Sequence, residues 1–151
     1  MNSTASKAEF LLIFRNTQLE KRLSMDQMEE AMQQFHGWLD RWTQAGAIKA
    51  GQPLGNEGRT ISGARSRTMA DGPYPEAKEA IGGYVLVQAE NMDEAAKIAS
   101  EWPLLDWDAF VEIRPLISEC LPMQLVAERL EAAGAAASPA ESIAIAERTS
   151  G

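Results

Sequence analysis

Three stretches of the chain alternate like strands. In Ala8-Glu9-Phe10-Leu11-Leu12-Ile13-Phe14, residues Phe10, Leu12 and Phe14 share one face, and Leu11 and Ile13 share the other. A strand apolar on both faces is expected to be covered on both. Gly83 to Ala89 repeats this pattern, with Val85, Val87 and Ala89 set against Tyr84 and Leu86. Phe110 to Leu116 predicts a last core strand, with Val111 and Ile113 set against Phe110, Glu112 and Arg114.

Helical spacing separates these strands. Ser24-Met25-Asp26-Gln27 is a capping box, in which the Ser24 hydroxyl accepts from the Gln27 N–H and the Gln27 side chain reaches back. It predicts a long helix to about Ala45, with Gly46 as the left-handed stop. Met28, Met32, Phe35, Leu39 and Trp42 step by four and three and form one apolar stripe, flanked by Trp38 and His36. A second helix is predicted from Asn91, which caps it, with Glu94 three residues on; Ala95, Ile98, Ala99 and Trp102 mark its buried side, and Pro103 ends it.

Between these elements the signals are weaker. Ala47 to Leu54 reads as a strand of low propensity. Arg59 to Ile61 and Arg65 to Met69 read as short hairpin strands among glycines. Pro75 to Ile81 fits a short helix with Gly82 as its stop. Beyond Pro115, a helix is expected over Pro122 to Ala133, then an alanine-rich linker and a second capping box at Ser138 to Glu141. The organisation expected is a domain over residues 1–117 and a helical C-terminal extension over 118–151.

The order strand, long helix, strands, strand, helix, strand predicts an α+β, ferredoxin-like split βαβ domain. Its two long helices cover one face of an antiparallel sheet. The other face stays apolar, and an uncovered patch of that size marks an interface. A homodimer through the sheet faces is therefore expected.

Composition narrows the function. The chain has 151 residues, 45% of them hydrophobic, and a net charge of −8, the balance of a soluble globular protein. Acidity of this degree argues against nucleic acid and against an anionic membrane surface as partners. The polar N-terminus has no apolar leader core, and no apolar run reaches the ~20 residues of a membrane span. A cytoplasmic location is expected. One cysteine (Cys120) and one histidine (His36) give no disulfide and no multi-histidine metal site within the chain. No phosphate-loop or dinucleotide fingerprint is present, and no cofactor is expected.

Candidate chemistry gathers in the run Asp71-Gly72-Pro73-Tyr74-Pro75-Glu76-Ala77-Lys78-Glu79. Asp71 reads as a general acid or base at a loop–strand junction, or as turn chemistry ahead of glycine and proline. Histidine is the side chain whose unperturbed pKa lies near neutrality, and His36 reads as a partner of Asp71 across a pocket; the plain alternative is a half-buried helix-flank histidine satisfied by a neighbour or solvent. Tyr74, Lys78 and Glu79 could contact a ligand, or form a solvated face. Arg114 could hold a ligand carboxylate, or pair with Glu112.

Three places in the chain resemble the DGPF group of the YCII-related family. They are Asp71-Gly72-Pro73-Tyr74 followed by Glu76, Lys78, Glu79 and Gly82-Gly83-Tyr84; Asp93-Glu94-Ala95 with Trp102-Pro103; and Val111-Glu112-Ile113-Arg114-Pro115. Together they span roughly residues 8 to 116 in matching order. Tyr74 stands where the family name has phenylalanine. The resemblance implies a dimeric α+β barrel, a pocket between sheet and loops, a histidine–aspartate acid–base pair, and gene company with extracytoplasmic-function sigma factors. Three readings follow: a cofactor-independent acid–base enzyme on a small molecule with a pocket near the Asp71 loop; a small-ligand-binding or regulatory module beside such a sigma factor; or a dimerisation scaffold without ligand.

Overall fold

The sequence patterns materialise as one four-stranded sheet with its helices on one face. The computed structural model describes residues 7–71 and 80–134. They fall into two units that divide after Leu116.

In the first unit, β1 (Ala8–Arg15) leads through a short 3-10 turn (Leu19–Lys21) into α1 (Met25–Gln44). β2 (Ile48–Pro53) follows, then a hairpin of β3 (Arg59–Ser62) and β4 (Thr68–Asp71). β5 (Ile81–Ala89), α2 (Met92–Ser100), a 3-10 turn (Pro103–Trp107) and β6 (Phe110–Pro115) complete it. The second unit carries α3 (Leu121–Ala132), closed by Gly134 at φ +76°.

The main sheet runs β2-β5-β1-β6 from edge to edge. Every neighbouring pair in it is antiparallel. With α1 after β1 and α2 after β5, this is an α+β arrangement compatible with a ferredoxin-like fold. β3 and β4 form a separate two-stranded ribbon, exposed at every residue.

Register places Phe10, Leu12 and Phe14 opposite Val87, Val85 and Gly83 of β5, and opposite Pro115, Ile113 and Val111 of β6. That face is the core. Leu12 and Val87 are fully buried, and Ala31, Trp38, Ala95, Ile98 and Trp102 close over them from the helical side. Leu11, Ile13, Tyr84 and Leu86 lie on the opposite face, half-buried and outside the core cluster.

Both helix starts form as their sequences dictate. Ser24 Oγ accepts from Gln27 N at 3.2 Å, and Gln27 Oε1 accepts from Ser24 N at 2.9 Å. Asn91 Oδ1 accepts from Glu94 N at 2.9 Å, while Glu94 Oε2 accepts from Glu90 N. Gly46 takes φ +80° one residue beyond the cap of α1, the left-handed stop its position predicts.

Three expectations need correction. The buried side of α1 is Met28, Ala31, Phe35, Trp38, Leu39 and Trp42, so of the predicted stripe only Met32, 38% exposed, departs from it. Ala31 and Trp38 are the two fully buried side chains of α1. β5 begins at Ile81, so Ile81 and Gly82 are strand and not a helix end; the remainder of the Pro75 helix lies outside the described residues. β4 begins at Thr68, because Arg67 folds back to donate to the Gly63 and Ala64 carbonyls and makes this stretch the turn. The expected capping box at Ser138 also lies outside the described residues.

Candidate functional site

Where α1 passes over β2 and the start of β5, the layer between helix and sheet is not filled. Gly51 and Gly83 stand in the helix-facing rows, opposite Val85 and Phe14, and contribute no side chain there. They also let the strands approach closely: a Cβ on Gly51 would lie 2.8 Å from the Tyr84 carbonyl oxygen, and one on Gly83 would lie 2.9 Å from that of Gln52. Gly82 is hemmed in from the other side, where a Cβ would overlap the Thr17 hydroxyl. The base of this corner is tied by a bond from Leu54 N to Gly82 O at 2.9 Å.

The result is a cavity of about 640 Å³. Met32, Phe35, His36, Leu39 and Thr43 of α1 line one side, a ridge at helical spacing beside the core line. Phe14, Val85, Trp102 and Leu104 line the interior. Ile48 to Pro53 of β2, with Thr17 and Gly82 to Tyr84, form the rest. The aromatic part of this wall is rigid. Phe14 stacks on Trp102 with centroids 4.3 Å apart, and meets Trp38 edge-on at 6.2 Å. Trp102 is 2% exposed, and its indole nitrogen has no hydrogen-bond partner among the described residues.

The charge of the lining is unlike that of the chain. No aspartate or glutamate is among the described lining residues, although the chain carries −8 overall. Lys49 supplies a full positive charge, and His36 an imidazole. His36 is exposed on α1, with its ring 5.7 Å from that of Phe35.

The other sequence candidates lie elsewhere. Asp71 ends β4 on the exposed ribbon; its side chain is 82% exposed and sits 3.7 Å from Arg59. It is not among the lining residues, so the cavity contains His36 without Asp71. Arg114 is exposed on β6 and donates to Glu112 at 3.2 Å, and Arg15 donates to the same carboxylate at 3.3 Å. This is the ion-pair alternative for Arg114, on the sheet face away from α1 and α2. Tyr74, Lys78 and Glu79 lie outside the described residues.

The model of the YCII-related domain matches residues 9–118. The chain belongs to the YCII-related family. The match covers the βαββαβ core and stops before α3. No curated protein matches this YCII-related chain, and the domain family is one of unknown function. Among the described residues, no group of three or more His, Cys, Asp or Glu side chains could hold a metal ion. Among the same residues, no helix is long and apolar enough to cross a membrane.

Sequence reasoning missed the cavity wall. Met32 faces the cavity and not the core, Phe35 and Leu39 serve both, and the sequence assigns no functional role to Thr17, Thr43, Lys49 or Trp102. One signal was legible: the apolar surface of α1 spans two adjoining ridges, more than packing on one sheet requires.

Proposed function

We propose that this YCII-related protein binds a small, mostly apolar organic molecule, neutral or anionic, in the cavity beneath α1. The observation that carries this reading is the lining itself: aromatic and aliphatic walls around about 640 Å³, with the Lys49 ammonium and the His36 imidazole and no carboxylate among the described lining residues. Concave, apolar sites with a few polar groups are the usual form of small-molecule sites. An acidic chain that keeps carboxylates out of one apolar space lowers the cost of admitting an anionic or electron-rich ligand there.

If the bound molecule reacts, His36 is the group that would exchange a proton with it, because it lines the cavity and an imidazole can both donate and accept. The His36–Asp71 pairing is a weaker reading, since Asp71 is engaged with Arg59 on the exposed ribbon. The regulatory reading beside an extracytoplasmic-function sigma factor rests on the family resemblance alone. Under either, the protein is taken as a homodimer joined through the sheet face that carries Leu11, Ile13 and Leu86.

The test is a titration with 1-anilinonaphthalene-8-sulfonate, an aromatic anion whose fluorescence rises in apolar surroundings. Saturable binding at one site per chain is expected, and Leu39→Trp should weaken it by narrowing the space beside α1. Equal binding to wild type and to Leu39→Trp would remove the cavity as the site.

A further inference from the structure

The strand wall of the cavity offers a main-chain donor and acceptor on one residue, Gly51. β2 is an edge of the sheet, so only β5 pairs with it. Leu54 N donates to Gly82 O, and the register sets Gln52 opposite Tyr84 and Ala50 opposite Leu86. Antiparallel alternation then turns the main-chain groups of Ala50 and Gln52 toward β5, and those of Gly51 and Pro53 away from it. Among the described residues, none bonds to the Gly51 N–H or C=O. Gly51 has no side chain, so it lines the cavity with main-chain atoms alone, and it is half-buried. A ligand can approach that backbone directly. Ala50 and Gln52 carry their side chains on the face away from α1 and also line the space, which therefore takes in the main chain of β2.

The neighbouring positions limit what can pair there. Pro53, the next outward-facing residue, has no N–H. On the other side, Lys49 is an extra residue between Ile48 and Ala50, a bulge that breaks the period of two. Both features blunt an edge against a long added strand. Between Lys49 and Pro53, Gly51 alone turns both groups outward.

We infer that the molecule bound in this cavity is an acylated α-amino acid with an apolar side chain. Its N–H donates to the Gly51 carbonyl, and its own carboxylate oxygen accepts from the Gly51 N–H. This rests on the cavity reading above and narrows it to a molecule with a donor and an acceptor on either side of one tetrahedral carbon. That spacing is the one by which two strands pair at a single residue. The ligand side chain then enters the apolar space bordered by Phe35 and Leu39. β5 holds the Gly51 backbone from its other side, so binding orders no protein chain.

The probes are N-acetyl-L-phenylalanine and O-acetyl-L-phenyllactate, which differ by an ester oxygen in place of the amide N–H. Each is titrated by NMR into nitrogen-labelled protein whose backbone signals have been assigned. The amide is expected to bind roughly three- to tenfold more tightly than the ester. It should also move the Gly51 amide proton downfield and slow its exchange with deuterium. Both readings come from the wild-type protein, so neither depends on how a variant folds. Equal affinities, or a Gly51 amide unmoved at saturation, would overturn the inference and leave the cavity reading intact. Failure of both probes to bind would do the same where the anilinonaphthalene titration finds its site beneath α1. If that titration also finds no site, both fall together.

Discussion

The indole nitrogen of Trp38 donates to the backbone carbonyl of Ile98 across 3.0 Å of buried space. This bond joins α1 to α2, and a salt bridge from Arg41 to Glu101 at 2.9 Å reinforces it further along the same pair.

Trp38→Phe should therefore cost about 1–3 kcal/mol, from one buried hydrogen bond and part of a ring. Urea unfolding should show a lower midpoint with an unchanged slope. An unchanged midpoint would show that the bond contributes nothing to stability.

The glycines divide into two classes that a pair of alanine substitutions separates. Gly37 lies inside α1, and nothing stands within 4 Å of a Cβ added there, so Gly37→Ala should stabilise by about 0.5–1 kcal/mol through helix propensity. At Gly83 the same atom would meet the Gln52 carbonyl oxygen at 2.9 Å and Pro53 Cα at 3.2 Å, both backbone. Gly83→Ala should destabilise by about 1–3 kcal/mol as β2 and β5 are forced apart. Thermal unfolding of the two variants should move in opposite directions, and a shared direction would contradict the close strand approach.

Glu112 gives the pH dependence. Its carboxyl is held below the ordinary value of 4.5, first by the hydrogen bond from Arg114, then by the charge and hydrogen bond of Arg15 acting against a desolvation that pushes it up. The folded state then binds this proton less tightly than the unfolded chain. The stabilisation is present in full above the unfolded value and is lost as pH falls through the lower folded value. Part of the stability lost on acidification below pH 4.5 should thus be absent in Glu112→Gln. Denaturation curves for both proteins at neutral and acid pH test this, and parallel losses would show that Glu112 is not a source of the dependence. The group is partly solvated, so the effect is small.

The open sheet face sets a test of assembly. Leu86 is on the central strand β5, opposite Leu11, in the face outside the core cluster. Leu86→Lys should turn a dimer into a folded monomer in sedimentation velocity at micromolar concentration. Wild-type protein sedimenting as a monomer would refute the sheet-face dimer directly.

Much of the fold was legible because its signals are local. The capping box at Ser24, the cap at Asn91 and the alternation of β1 and β5 each depend on residues within a few positions of one another. The stripe of α1 was legible only in outline. Met28, Phe35, Leu39 and Trp42 pack against the core as their spacing predicts, and whether Met32 or Ala31 with Trp38 joins them depends on which side meets the sheet. Asp71 illustrates the opposite case. Its motif marks the family, yet its carboxylate is placed by a hairpin partner, Arg59, that lies twelve positions away and that only strand pairing brings near.

The sequence by itself determined the order of elements, their caps, the two-faced strands and the family. These follow from periodicity and from short-range hydrogen bonding. Only the tertiary structure decided the site. The cavity arises where Gly51 and Gly83 meet the second ridge of α1, and where Trp102 is buried beside Phe14 without an acceptor. Those residues are distant in sequence, and what they share is an empty volume and an aromatic wall. Neither is a property of any residue until the strands pair and the helix closes over them.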